Sequence, residues 1–194
     1  MTSQATTGSE SERYTQHGLR PLVNFLQQAR THYLEQYRSF IENHRMAGNA
    51  GEPEVLLEAD DAALFEGLLV ADYLITDADP RVVRFEPSRM LSFKPITVTI
   101  TGMDVVIERL RWDDVVVLSD VALPSKADLQ VWFEDWITPR EGEDEHREAL
   151  ANVLHSFRFE DGQFRIDFGS APPKAVVDLF LLLNESGAKS VRLV

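Results

Sequence analysis

The chain contains no cysteine among its 194 residues. A disulfide scaffold, a thiolate nucleophile, a cysteine-ligated zinc site and an iron–sulfur cluster are therefore all excluded. The chain also lacks an apolar run approaching the roughly 18 residues of a membrane-spanning helix, since the longest run covers only residues 179–183. A chain of this length can bury about 70% of its extended surface around one core, so it needs no metal or crosslink in order to fold.

The familiar cofactor-binding and catalytic motifs are missing as well. The sequence has no Gly-rich phosphate loop of the G-x-x-x-x-G-K-[ST] or G-x-G-x-x-G type, and no H-E-x-x-H, G-x-S-x-G or EF-hand pattern. We therefore predict no cofactor and no metal. The polar first 18 residues lack the apolar segment of an export signal, so we expect a cytoplasmic location.

Positive charge is scarce, and the negative charge is concentrated in two segments. The chain has 19 Lys and Arg against 32 Asp and Glu, which gives a formal net charge of −13. Residues 51–80 carry nine acidic and no basic side chains, and residues 113–148 carry eleven acidic against three basic. An acidic surface repels phosphate backbones and attracts basic proteins. We therefore predict a basic protein partner rather than nucleic acid or a membrane, with solubility alone as the simpler interpretation of the charge.

Hydrophobic periodicity predicts helices in four places. Apolar residues recur at spacings of three and four between Pro21 and Met46, which is typical of a long amphipathic helix packed on one side. The segment 62–74 is ambiguous, and we interpret it as a helix capped by Asp60 or Asp61. Ser125 and Asp128 form a capping pair for a third helix, and residues 173–184 follow two prolines as a fourth.

Strands are predicted over residues 82–118 and near the C-terminus. Ile96, Val98 and Ile100 alternate with threonines, which indicates a strand with one buried and one exposed face. The Asp161-Gly162 pair favours a two-residue hairpin turn, and it sets a register that pairs residue 159 with 164 and residue 157 with 166. A strand over 190–194 would complete a βαβ unit.

These elements predict an α+β fold. A long N-terminal helix packs on a mixed, mainly antiparallel sheet, and a β-hairpin and a βαβ segment lie toward the C-terminus. We expect residues 1–18 to form a disordered tail and residues 19–194 to form a single domain.

The candidate site residues are of two kinds. The hairpin register places His155 on an apolar face, where a buried imidazole needs hydrogen-bonding partners. Neighbouring carboxylates recur along the chain, as at Asp113-Asp114, and are interpreted as solvated. Aromatic residues within the second acidic segment can serve either as interface anchors or as core. The predicted partner-binding set combines both kinds of side chain: Asp128, Trp132, Glu134, Asp135, Trp136, Glu143 and Asp144.

Three functions follow from these features. The leading prediction is a non-enzymatic acidic module that binds a basic protein, with an immunity protein or inhibitor as its most specific form. The alternative is a metal-dependent hydrolase that uses His155 and convergent carboxylates. The third is a structural module that forms a homodimer along the first helix.

Overall fold

The computed structural model describes residues 10–120, 124–139, 150–160 and 163–194. Three helices and nine strands follow one another along these residues: α1 (Glu10–Met46), β1 (Gly51–Glu58), β2 (Leu64–Ile75), β3 (Arg81–Val83), β4 (Ile96–Ile100), β5 (Met103–Ile107), β6 (Val115–Ser119), α2 (Lys126–Ile137), β7 (Ser156–Glu160), β8 (Gln163–Asp167), α3 (Pro173–Glu185) and β9 (Ser190–Leu193). No helix in this part of the chain is long and apolar enough to cross a membrane.

The strands form one sheet in the order β1-β2-β7-β8-β6-β9-β5-β4, and β3 also pairs with β2. All of these pairings are antiparallel except that of β5 with β9. The predicted α+β class with a mixed, mainly antiparallel sheet is confirmed. Strand β6 lies between β8 and β9 and is antiparallel to both, so β8 and β9 run in the same direction, as a βαβ unit requires.

The hairpin register is also confirmed. Phe157 pairs with Ile166, Arg158 with Arg165, and Phe159 with Phe164, while the turn residues 161–162 lie outside the described residues. Arg158 and Arg165 are directly opposite, which would be unfavourable without neighbouring charge. Each guanidinium is paired with a carboxylate from another part of the chain, Asp61 at 2.9 Å and Asp114 at 2.6 Å respectively.

The helix predicted over residues 62–74 is wrong, because residues 62 and 63 form a turn and the others belong to strand β2. This strand has β1 on one side and β7 on the other, and its second half is buried on both faces. A strand buried in this way has an almost continuous apolar sequence, which periodicity alone cannot distinguish from a helix. Asp61 accepts a hydrogen bond from the Ala63 amide and so stabilises the turn before the strand.

Helix α1 begins earlier than the sequence pattern indicates, so that Pro21 lies inside it. The apolar stripe marks the portion that packs against the sheet, whereas the helical backbone continues beyond that portion toward the N-terminus. Residues 1–9 of the predicted tail lie outside the described residues, as does the segment 140–149. The buried stripe includes Leu22, Leu26 and Tyr37, each with no exposed surface, and belongs to the same core as the sheet.

One arginine connects α1 to the chain segments on either side of the β7–β8 hairpin. The Arg30 guanidinium donates hydrogen bonds to the Ser170 and Ala171 carbonyl oxygens at 2.7–3.1 Å, and to Asn152 Oδ1 at 2.8 Å. Its planar fork reaches several acceptors at once, which a lysine ammonium cannot reproduce in the same geometry. This contact fixes the position of α1 relative to the β7–β8 hairpin.

We expect Arg30→Lys to lower the free energy of unfolding by about 1–3 kcal/mol, because charge-assisted hydrogen bonds to partly buried carbonyls are lost. Urea unfolding followed by circular dichroism measures the change. Arg38→Lys, at an exposed arginine of the same helix, is the matched control and should change stability by less than about 0.5 kcal/mol. Equal losses of unfolding free energy in the two variants would contradict a stabilising role for the Arg30 hydrogen bonds.

Candidate functional site

The first candidate site surrounds His155, immediately before β7. Its amide donates to the Asp167 carbonyl at 2.9 Å, and its own carbonyl accepts from the Val70 amide at 2.7 Å, so the backbone is held on both sides by sheet neighbours. The residue is 1% exposed. The sequence analysis predicted a buried imidazole that needs hydrogen-bonding partners, and the structure confirms this.

Both ring nitrogens contact buried carboxylates. Nδ1 lies 2.7 Å from Asp72 Oδ1 on β2, and Nε2 lies 3.1 Å from Glu54 Oε1 on β1. The remaining oxygens are held by backbone amides, since Asp72 Oδ2 accepts from Phe85 at 2.8 Å and Glu54 Oε2 accepts from Ala151. The network, named here the His155 centre, therefore joins β1, β2 and the start of β7.

Tight packing surrounds the ring. Tyr37 of α1 lies edge-on to it at 5.6 Å between ring centroids, and the Tyr37 hydroxyl donates to the Asp72 carbonyl at 2.6 Å. On another side, Gly169 adopts a φ of +47°, and a Cβ built there would lie 2.0 Å from His155 Cδ2. Only glycine fits this position, because any side chain would overlap the imidazole. The Gly169 amide donates to Asp167 Oδ1 at 2.9 Å.

The charges of the His155 centre determine its protonation. Burial alone lowers the pKa of His155, but the hydrogen bonds to Asp72 and Glu54 and the charge of Asp167 outweigh burial and raise the pKa to about 10. Burial raises the pKa of Asp167, with His155 acting in the opposite direction. A protonated imidazole donates to both carboxylates at once, which a neutral ring cannot do.

The chemistry open to the His155 centre is limited by its closure. Asp72, His155 and Asp167 each offer a ligand atom within 4.8 Å of the others, an arrangement that suits a metal ion, but both imidazole nitrogens already contact carboxylates. A general acid or base must reach its substrate, and this ring has almost no accessible surface. The arrangement therefore stabilises the fold in this conformation, and its closure counts against the hydrolase alternative.

Sequence reasoning missed the partners of His155. It considered neighbouring carboxylates, whereas Glu54, Asp72 and Asp167 are far apart in the chain. A signal was present, because Asp72 lies within the apolar stretch 68–75 and Asp167 lies between Ile166 and Phe168. A carboxylate flanked by apolar residues in a strand indicates a buried charge that requires a partner. Several of the neighbouring carboxylates form ion pairs instead, such as Asp113 with Arg111 at 2.6 Å.

The second candidate site is a groove between the β1–β2 hairpin and α2. Four carboxylates line it: Glu58, Asp60, Glu66 and Glu134. Its volume is about 630 Å³, and Phe133 contributes an apolar wall. Three of these carboxylates come from the first acidic segment of the sequence and Glu134 comes from the second, so the fold brings the two segments together. We call this feature the acidic groove.

An irregularity in β2 sets the position of Glu66 at the groove. The register of β2 against β7 shifts between Leu64 and Leu69, and both Glu66 and Gly67 have positive φ, at 53° and 66°. This irregularity is typical of a β-bulge, which redirects side chains at the end of a strand. On α2, Ser125 Oγ accepts from the Asp128 amide at 3.2 Å, which confirms the predicted cap and fixes where the helix begins.

The predicted partner-binding residues have different environments. Trp132 and Trp136 are only 5% and 6% exposed, so they take the second of the two roles considered for them and belong to the core. They face the core because the apolar stripe of α2 packs on the sheet and α3: the Trp132 indole donates to the Ala175 carbonyl at 3.0 Å and lies 5.6 Å from the Phe157 ring. Glu134 lines the acidic groove.

Among the described residues, Asp128 and Asp135 of the predicted set do not line the groove. Asp128 belongs to the cap of α2, where its carboxylate accepts from the Ser125 hydroxyl at 2.6 Å. Asp135 is exposed on the same helix. Glu143 and Asp144 lie outside the described residues. A partner-binding role for these carboxylates stays a prediction.

Comparison with protein-family models, with curated proteins and with solved structures found no match.

Stability should depend on pH through His155. The folded state retains a proton that the unfolded state loses above about pH 6.5, so the free energy of unfolding should fall as pH rises toward 10, by up to about 1.4 kcal/mol per pH unit. The raised pKa of Asp167 also makes the free energy of unfolding fall as pH rises, but over a lower pH interval. Urea unfolding between neutral pH and mildly alkaline pH measures the slope, and His155→Gln should flatten it. A wild-type stability that is level over this interval would contradict a protonated His155.

The destabilisation caused by steric overlap at Gly169 can be distinguished from that caused by its positive φ. We expect Gly169→Ala to destabilise the protein by at least about 2 kcal/mol, because the methyl group overlaps the imidazole. Gly48 also has a positive φ, at +78°, but a Cβ there meets nothing within 4 Å. Gly48→Ala should therefore cost only about 1 kcal/mol, from backbone strain. Similar thermal unfolding midpoints for the two variants would show that the overlap is absent.

Proposed function

We propose that the protein is a binding module whose acidic groove receives lysine or arginine side chains of a basic protein partner. The observation that carries the proposal is the convergence of Glu58, Asp60 and Glu66 with Glu134 around one concave surface. Carboxylates that line a concavity concentrate the negative potential and raise the association rate of a cationic partner. An inhibitor or immunity protein that occludes a basic partner is the most specific form of this function.

The groove is suited to a side chain rather than to a flat electrostatic contact. Leu68, which is partly exposed, provides apolar surface, against which the stem of a lysine or arginine packs while its charged end meets the carboxylates. Glu134 accepts a hydrogen bond from Gln130 at 2.7 Å, which orients its carboxylate without neutralising it. The groove therefore combines surface for the stem with acceptors for the charge.

The other two functions have less support. The hydrolase alternative requires access to His155, which is buried beneath α1 and the sheet. The dimer alternative requires an unpartnered apolar stripe on α1, but the described part of that stripe packs inside the chain against its own core. Neither objection applies to the acidic groove, because its carboxylates are open to solvent.

A short fluorescein-labelled peptide of alternating arginine and serine tests the proposal by fluorescence anisotropy. We expect binding at low ionic strength that weakens as salt screens the charges. The double variant Glu58→Gln with Glu134→Gln should bind about tenfold more weakly, a loss of about 1.4 kcal/mol.

The matched control is Glu35→Gln with Glu42→Gln. Both of these residues are exposed on α1, and the change in net charge is the same as in the groove variant. We expect the control to retain nearly the wild-type affinity, because the change in net charge acts only at long range. If the two double variants lose affinity equally, binding is due to net charge alone and the groove has no specific role.

A further inference from the structure

A second cavity adjoins the acidic groove and has a different character. It measures about 310 Å³ and is lined mainly by apolar side chains, which include Phe65, Leu129, Phe157, Phe159 and Phe164. Phe159 is 47% exposed, so part of this apolar lining is open to solvent. We call this feature the apolar cavity.

The two features meet at Phe65 and Glu66. Glu66 lines both of them. The Phe65 ring, in the apolar cavity, packs edge-on against Phe133 of the acidic groove at 5.1 Å between centroids. A ligand that lies across this junction would therefore meet carboxylates on one side and aromatic rings on the other.

A cation of the protein itself already occupies the junction. Lys126 Nζ lies 2.7 Å from Glu66 Oε1 and 5.9 Å from the centre of the Phe65 ring. Its side chain is 73% exposed, so it is held by these contacts rather than by burial. An ammonium placed between a carboxylate and an aromatic face gains from both the ion pair and the cation–π contact. Lys126 thus shows which kind of group the junction accepts.

We propose that the partner segment carries a large apolar side chain next to its basic residue, so that the apolar side chain enters the apolar cavity while the basic residue displaces Lys126 from Glu66. This inference rests on the proposed function and specifies its ligand. Charge complementarity identifies the occupant as cationic, and the aromatic lining identifies the neighbouring side chain as apolar. Lys126 acts as an internal competitor that a basic partner must displace.

Three labelled peptides of equal length test the inference: arginine alternating with leucine, arginine alternating with serine, and glutamate alternating with leucine. We expect the arginine–leucine peptide to bind at least about tenfold more tightly than the arginine–serine peptide, because an apolar side chain is buried. The glutamate–leucine peptide should not bind, because its charge is repelled by the groove.

Phe159→Ser should weaken binding of the arginine–leucine peptide about fivefold, because apolar contact is lost. It should leave the affinity for the arginine–serine peptide unchanged. Val131→Ser is the matched control, since Val131 is 64% exposed on α2 and does not line either feature. Circular dichroism spectra and unfolding midpoints show whether each variant remains folded. Equal effects of the two variants would contradict the role of the apolar cavity.

Lys126→Gln should raise the affinity for both arginine peptides several-fold, because the internal competitor is removed. Lys174→Gln is its control, since Lys174 pairs with Asp178 at 2.6 Å elsewhere on the surface and the change in net charge is the same. If Lys126→Gln raises the peptide affinity no more than Lys174→Gln does, Lys126 does not compete with the peptide for Glu66.

The outcomes separate the two proposals. If the arginine–serine and arginine–leucine peptides bind equally well, the inference about the apolar cavity is wrong while the proposed function stands. If neither arginine peptide binds, the proposed function itself is wrong. Tight binding of the glutamate–leucine peptide would show that apolar contact alone suffices. It would overturn the requirement for a basic residue next to the apolar side chain.

Discussion

The fold depends on one buried ionic interaction, between His155 and the carboxylates of Glu54 and Asp72. Glu54 and Asp72 lie on the neighbouring strands β1 and β2, and His155 immediately precedes β7, which lies beside β2. Two carboxylates buried close together repel each other, and a protonated imidazole between them removes that repulsion. Because removing one member of such a network leaves an uncompensated buried charge, the network favours one arrangement of the strands over its alternatives.

This interaction also sets the position of the proposed binding surface. Glu54 and Asp72 lie toward one end of the β1–β2 hairpin, whereas Glu58 and Glu66 lie at the other end, beside α2. A hairpin fixed at the His155 centre therefore presents its acidic end at a defined position. The protein consequently separates its two kinds of acidic residue. Those paired with His155 lie in the core, and those around the groove lie at the surface, where Glu66 already pairs with Lys126.

Several features were predictable from the sequence because they depend on residues close together in the chain. The β7–β8 register follows from the Asp161-Gly162 pair, and the start of α2 follows from Ser125 and Asp128. Other features were not predictable in this way. Strand β2 resembled a helix because its second half is buried on both faces. Whether Trp132 and Trp136 belong to an interface or to the core stayed open, because their periodicity shows that they share a face of α2 but not what that face packs against.

The sequence by itself determined the α+β class, most of the elements and the concentration of negative charge in two segments, since composition and periodicity are local properties. Only the tertiary structure decided which of those charges meet. His155 contacts Asp72 across 83 positions of the chain and Glu54 across 101, and the acidic groove joins a strand end to a helix. Such long-range contacts depend on the order of the strands in the sheet. That order is set by the packing of the whole core and not by any short stretch of residues.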